Sequence, residues 1–162
     1  MRLAIEKDLP KIVEIYNSTV PSRLSTADTE EVSVESRVEW FKKHTPEKRP
    51  IFVHEMNGAV VAWVSFESFH GRPAYHPTAE ISIYVAPERR RKGLGRQILQ
   101  EAIEITPTLG IKTLLGYIFS HNLPSIHLFQ SFGFEEWGRF PHIAEMDGRE
   151  YSLSILGKRV NP

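Results

Sequence analysis

The chain contains no cysteine, which excludes disulfides and thiolate nucleophiles and fits a reducing, cytoplasmic setting. It has no excess of either charge. Its 20 basic and 20 acidic residues balance to a formal net charge of +0, so global attraction to nucleic acid or to an anionic membrane is not expected. No apolar run approaches the length of a membrane span, and the opening Met1-Arg2-Leu3-Ala4-Ile5-Glu6-Lys7 runs into charge rather than into a signal-peptide core. No two histidines stand at a metal-ligand spacing and there is no G-x-S-x-G elbow, so no metal and no serine-hydrolase chemistry are expected. Repeats and low-complexity segments are absent as well. What is present is 162 residues, 41% of them hydrophobic, enough for one domain with a sizeable core spanning residues 1–162.

The positive charge that exists is concentrated. Glu80-Ile81-Ser82-Ile83-Tyr84-Val85 alternates as a strand, Arg89 to Lys92 with Gly93, Gly95 and Arg96 form a basic turn, and an amphipathic helix starts with Leu94, Ile98 and Leu99 on one side. The first N–H groups of a helix lack intrahelical partners and sit at the positive end of its dipole, so an anion can accept from them. Glycines let an oxygen approach that backbone, and Arg90, Arg91, Lys92 and Arg96 add charge-assisted donors, which together predict a phosphate-bearing ligand. The ligand is not read as a dinucleotide, because Ile98 stands where G-x-G-x-x-G needs its third glycine. Nor is it a P-loop ligand, because Lys92 precedes its glycine and no Ser or Thr follows.

Around this centre the pattern predicts strands and helices in the order βααβββαβαββ, an α+β chain with a mixed sheet. A first strand covers Met1 to Ile5. Asp8 caps a helix carrying Ile12, Val13, Ile15 and Tyr16 on one side, and Ser33 caps a second with Val34, Val38 and Phe41 at helical spacing. The polar stretch from Ser22 to Val32 has no clear period. Asn57-Gly58 closes a hairpin between Ile51–Glu55 and Ala59–Phe69. After the basic turn come a strand over Lys112–Phe119, a short helix capped by Asn122 and ended by Gly133, and closing strands at Phe134–Gly138 and Tyr151–Leu156.

Three motifs carry a resemblance. Arg90-Arg91-Lys92-Gly93-Leu94-Gly95 is similar to the [QR]-x-x-G-x-[GA] signature of the GCN5-related N-acetyltransferase (GNAT) family, and Asn122 to Phe134 to its second signature, N-x-x-[AS]-x-x-[LF]-[FY]-x-x-x-G-F. Thr78 to Val85 resembles the T-[VA]-E-x-S-[VI]-Y-V run of its phosphinothricin and methionine sulfoximine branch, and similarity extends to Ile15-Tyr16-Asn17 and to Ala144 through Arg149. The departures are Arg91, where that branch usually has glycine, and a shorter loop between Arg72 and Glu80.

The resemblance implies the GNAT fold, a twisted mixed sheet flanked by helices, and direct acetyl transfer from acetyl-CoA to the amine of a small amino-acid-like acceptor. It assigns the pantetheine arm to the backbone of Ile83, Tyr84 and Val85, the pyrophosphate to Arg90, Arg91, Lys92, Gly93, Leu94, Gly95 and Arg96, and the rest of the arm to Asn122, Ser125 and Phe129. Asn122 can also be read as a helix cap alone. An α-amine is mostly protonated at neutral pH, so the reaction needs a base, and Glu80 is the candidate, with the Val85 N–H donating to the thioester oxygen. Arg72, Pro73, Tyr75, Ile81 and Ser82 join Glu80 as expected acceptor contacts, Arg72 through its fork-shaped guanidinium. His121 and His142 read as solvated or core histidines. A homodimer is implied, with Trp63, Phe66 and Phe69 serving either its surface or the core. Two alternatives stand beside this reading: an acetyltransferase acting on protein N-termini or lysines, and a noncatalytic acyl-CoA sensor.

Overall fold

Periodicity in the sequence becomes regular structure throughout the computed structural model, which describes residues 1–162. In chain order the elements are β1 (Arg2–Leu3), α1 (Leu9–Asn17), α2 (Val34–Lys43), β2 (Ile51–Met56), β3 (Ala59–Ser68), β4 (Thr78–Val85), α3 (Leu94–Ile105), β5 (Thr113–Phe119), α4 (Leu123–Gln130), β6 (Glu135–Met146) and β7 (Arg149–Arg159). This is the expected order. All seven strands join one sheet, β1-β2-β3-β4-β5-β7-β6, in which only β4 and β5 run parallel.

The sheet separates two cores. On one face Ile81, Leu114 and Phe66 pack against Leu94, Ile98 and Leu99 of α3 and Phe129 of α4. On the other, Val53 and Trp63 meet Ile12 and Ile15 of α1. Trp63 and Phe66 are 3% and 0% exposed, so both belong to the interior and neither serves a dimer surface. Burying side chains of this size contributes roughly 1.5–3 kcal/mol each.

Two local readings change. Asp8 stands at the start of α1, but its carboxylate does not cap the helix; it turns back to accept from the Ile5 N–H at 2.8 Å and from both Arg2 Nη atoms at 2.8 Å. Those charged donors satisfy a buried carboxylate better than the helix amides do, and Arg2 holds its pKa below the usual range. Ser33 does cap α2, its hydroxyl accepting from Ser36 N–H at 3.1 Å. The closing strands run well beyond their predicted ends. Pro141 and His142, the latter at φ 53°, fall where the β6–β7 register shifts between Phe140 and Ala144. A proline is tolerated on an edge strand at such a bulge, so β6 continues past the point where its sequence pattern breaks.

Candidate active site

The site begins where a strand pair comes apart. β4 and β5 are in register over Thr78–Glu80 and Thr113–Leu115 only, yet β4 continues to Val85 and β5 to Phe119. Beyond Glu80 a gap opens within the sheet. Ala86 donates to Val61 O on the β3 side, and because peptide groups alternate along a strand, those of Ile83 and Val85 face the gap. Their side chains pack with the α3 core. What the gap presents along β4 is therefore main chain.

At its wide end lies the basic turn. Gly93 is left-handed at φ 82°, a conformation that favours glycine, and the first intrahelical bond of α3 runs from Gln97 N–H back to Gly93 O at 3.1 Å. Leu94, Gly95 and Arg96 thus fill the first turn, where N–H groups lack intrahelical acceptors. The four basic side chains expected at the pyrophosphate are not equivalent. Arg90 Nε donates to Val85 O at 2.9 Å and its Nη2 to Ser18 Oγ at 2.8 Å; Lys92 Nζ donates to Glu88 O at 3.0 Å. Arg96 donates to Ser131 Oγ at 3.0 Å and lies 4.8 Å over the Phe132 ring. Arg91 alone has no partner within the chain. It also holds φ 59°, a left-handed conformation that costs a non-glycine residue about 1–2 kcal/mol.

The gap is the floor of a cleft of about 530 Å³, lined among others by Glu80, Ser82, Tyr84, Asn122, Ser125 and Phe129. Its far wall is the segment Leu24–Asp28, in the stretch whose sequence shows no period. Three elements fasten that segment and its approach: Asn122 Nδ2 donates to Leu24 O at 3.1 Å, Tyr84 hydroxyl to Ser25 O at 3.2 Å, and His121 Nε2 lies 2.8 Å from Arg23 O. Tyr16 hydroxyl bonds to Thr26 hydroxyl and donates to Asp28. Asn122 also accepts from Ser125 N–H at 3.3 Å, so it caps α4 and anchors the wall at once. His121 packs at a tilt against Tyr151, ring centroids 4.6 Å apart, and His142 is exposed near Glu150, 3.4 Å away.

At the narrow end stands Glu80. Its carboxylate receives no hydrogen bond from the chain, and burial together with the charge of Glu67 pushes its pKa up to about 7. A carboxyl poised there exchanges protons near neutrality. Glu67 is its cross-strand partner on β3, held by Trp40 Nε1 at 2.8 Å with His44 Nε2 at 3.7 Å. Tyr117 of β5 lines the cleft as well; desolvation first and then the Glu80 charge raise its phenol. Glu67, Tyr117 and the Leu24–Asp28 wall were not read from the sequence, since register across a long loop and a tethered irregular segment leave no periodic signal. Ile81 and Ser82 lie beside Glu80 in the cleft, as expected. Arg72, Pro73 and Tyr75 do not: they form an exposed 3-10 turn before β4 that lines neither this cleft nor its neighbour.

A parallel strand pair that opens between a basic helix start and a half-buried carboxylate defines an N-acyltransferase. The pattern of the acetyltransferase (GNAT) family matches residues 9–134. YwnH of Bacillus subtilis (strain 168), provisionally named a phosphinothricin acetyltransferase, is 56% identical over 162 residues, covering 99% of each chain. The L-methionine sulfoximine/L-methionine sulfone acetyltransferase of Pseudomonas paraeruginosa (strain DSM 24068 / PA7) is 31% identical, over 96% of this chain and 91% of its own. Among solved structures, the phosphinothricin acetyltransferase of Sinorhizobium meliloti in complex with AcCoA superposes with a TM-score of 0.91 at 28% identity, covering 99% of this chain and 87% of its own. The chain belongs to the acetyltransferase (GNAT) family and is an N-acetyltransferase. No helix is long and apolar enough to cross a membrane.

Proposed function

We propose that the chain moves the acetyl group of acetyl-CoA directly to the α-amine of a free amino acid, with Glu80 as the base. The observation that carries this reading is the position of Glu80: half-buried, unbonded, at the closed end of a gap edged by the main chain of β4, with a pKa of about 7. The fit to acetyl-CoA rests on chemistry present in the chain. The main chain at Ile83 and the N–H of Val85, whose carbonyl already accepts from Arg90, suit the amides of a pantetheine arm, while the first turn of α3 and Arg91 suit a pyrophosphate. When bound, acetyl-CoA supplies an acetyl thioester open to attack by an amine. Glu80 accepts the ammonium proton and so frees the attacking lone pair; the N–C bond forms as the thioester C–S bond breaks, and the second proton shed by the amine goes to the departing thiolate, while Phe129 and Ser125 wall the arm and Asn122 secures both wall and helix. Arg90 acts one step back, fastening the end of β4 to Ser18 at the C-terminal end of α1, Lys92 steadies the turn, and Arg96 stays beside α4.

The test is release of free CoA thiol from acetyl-CoA across methionine sulfone, methionine sulfoximine, phosphinothricin, unmodified amino acids and a peptide. Release with small amino acids and not with the peptide is expected. Release with the peptide alone would move the acceptor to a protein substrate, and release with none would leave a binding module.

The same reading makes the enzyme a cytoplasmic homodimer. Its contact is placed on β6, where Trp137, Phe140 and Ile143 are 50%, 43% and 59% exposed along an edge strand. Light scattering should return twice the 18.6 kDa chain mass, and Phe140→Glu should halve it; a wild-type monomer at micromolar concentration would remove the assignment.

A further inference from the structure

A second cavity adjoins the cleft and has no role in the reading so far. Successive cross-strand pairs on the α1 face of the sheet supply its floor and flanks: Trp63 opposite Tyr84 and Ser65 opposite Ser82 line it, and Glu67 lines it one pair further on, while Glu80, the cross-strand partner of Glu67, faces the cleft. The rings of the first pair stack at 4.6 Å, with Trp40 of α2 edge-on to Trp63 at 5.6 Å. Serines are small, so the middle pair leaves a recess of about 160 Å³ between the indoles and the Glu67 carboxylate. It adjoins the cleft at Tyr16, Ser82 and Tyr84, which line both spaces.

Size, polarity and charge each restrict what it holds. A cavity of roughly 150 Å³ accommodates a benzene ring, so this one takes a group of about six heavy atoms. Ser65 is 2% exposed and lines the recess, and neither its hydroxyl nor that of Ser82 makes a hydrogen bond within the chain. Both hydroxyls are left unpaired at the recess, so the floor offers two hydrogen-bonding groups to an occupant. The charged residues lining the two cavities are Glu67, Glu80, Asp28 and Arg37, and Arg37 is already paired with Asp28 at 2.9 Å. The uncompensated charge is negative.

We propose that this recess takes the acceptor's side chain, that Ser65 and Glu67 set its selectivity, and that it selects an uncharged, hydrogen-bonding side chain of about six heavy atoms over an anionic one. A sulfone places two acceptor oxygens over the Ser65–Ser82 floor and its terminal methyl against Trp40 and Trp63, with the α-amine at Glu80. A phosphinate of the same length carries its negative charge toward Glu67 and Glu80. Phosphinothricin is therefore the poorer acceptor, whatever the names of the relatives. The inference rests on the proposed amino-acid N-acetylation and refines its acceptor.

The experiment measures kcat/KM for methionine sulfone, phosphinothricin and norleucine, the last matching the sulfone in chain length without its oxygens. The wild type should prefer the sulfone to phosphinothricin by at least about tenfold, the scale of one unfavourable charge contact. Glu67→Gln should narrow that ratio severalfold, and Ser65→Ala should collapse the preference for sulfone over norleucine. Ser65→Val, which fills the recess, should raise KM for the sulfone about tenfold while KM for acetyl-CoA stays put, which also shows that the variant is folded. If the wild type acetylates none of the three, the proposed function itself fails. If it turns over but uses phosphinothricin as well as the sulfone, or if the Ser65 variants keep wild-type ratios and KM, the recess is not the side-chain site.

Discussion

Replacing Glu80 with glutamine is expected to lower kcat by about two orders of magnitude, the usual scale for losing a general base, and to leave the affinity for acetyl-CoA unchanged. The same substitution is expected to make the protein more stable at pH 8. The wild-type carboxyl has its folded pKa pushed up to about 7, above that of an exposed glutamate, so ionising it in place is unfavourable. Between the unfolded value and 7 the folded chain holds the extra proton, and stability therefore falls as pH rises through that window. Above it the cost is fully present. Allowing for solvent screening at a partly exposed site, that cost is about 1–2 kcal/mol, or roughly 3–6 °C in Tm for a chain of this length. Glutamine has the same shape and no charge to desolvate. Calorimetry at pH 8 and at pH 4 should show the gain at the former and little at the latter, while the wild-type kcat/KM rises with pH through about 7. Wild-type turnover in Glu80→Gln would sink the assignment, and an unchanged Tm at pH 8 would sink the account of its environment.

Gly116→Ala is expected to damage the site from behind. Gly116 lies mid-strand in β5, paired with Leu156 of β7, and a Cβ there would come 2.8 Å from Phe129 Cε1 and 3.1 Å from its Cδ1. The strand cannot retreat, being laddered to β7. The ring cannot easily turn aside either, since Phe134 packs against it with centroids 4.9 Å apart. Overpacking of this kind costs about 1–3 kcal/mol, which predicts a Tm lower by roughly 3–10 °C. Phe129 also lines the cleft, so displacing it should raise KM for acetyl-CoA by about tenfold, a 1.4 kcal/mol effect. Combining Gly116→Ala with Phe129→Leu, which removes the part of the ring in the way, should recover stability relative to either single variant. Strictly additive losses would show that the contact is not the cause.

How far the sequence carried the reading depends on what kind of interaction fixes each feature. Helices α1, α3 and α4 and the β2–β3 hairpin are set by local periodicity and turn chemistry, and the residues that set them, such as Ile98, Asn57 and Gly133, are visible in the string. The pantetheine's place along Ile83 to Val85 was implied by family resemblance, and the structure adds the opening of β4 from β5, which starts after Glu80. Contacts between distant segments were not legible. Asp8 looks like a cap until Arg2 is known to lie beside it, and Arg90 looks like a free phosphate ligand until Val85 O and Ser18 are placed around it. Arg72 drew notice for its chemistry, yet the turn that carries it holds it outside both cavities. Glu67 and Ser65 went unremarked for the converse reason. Their significance lies in register with Glu80 and Ser82 across a loop of nine residues, 69–77, and no spacing rule reaches that far.

The pleat of β4 sorts its obligations by direction. Ile81, Ile83 and Val85 project into the α3 core, Ser82 and Tyr84 line the recess on the other face with Glu80 in the cleft beside it, and the edge turned to the gap offers peptide groups that no mutation short of proline removes. On the proposed role of the recess, exchanges at 65, 67 and 82 are expected to shift acceptor preference while leaving the α3 core and the peptide edge of β4 in place. A combinatorial library restricted to those positions would explore new amines on an unaltered folding and cofactor background.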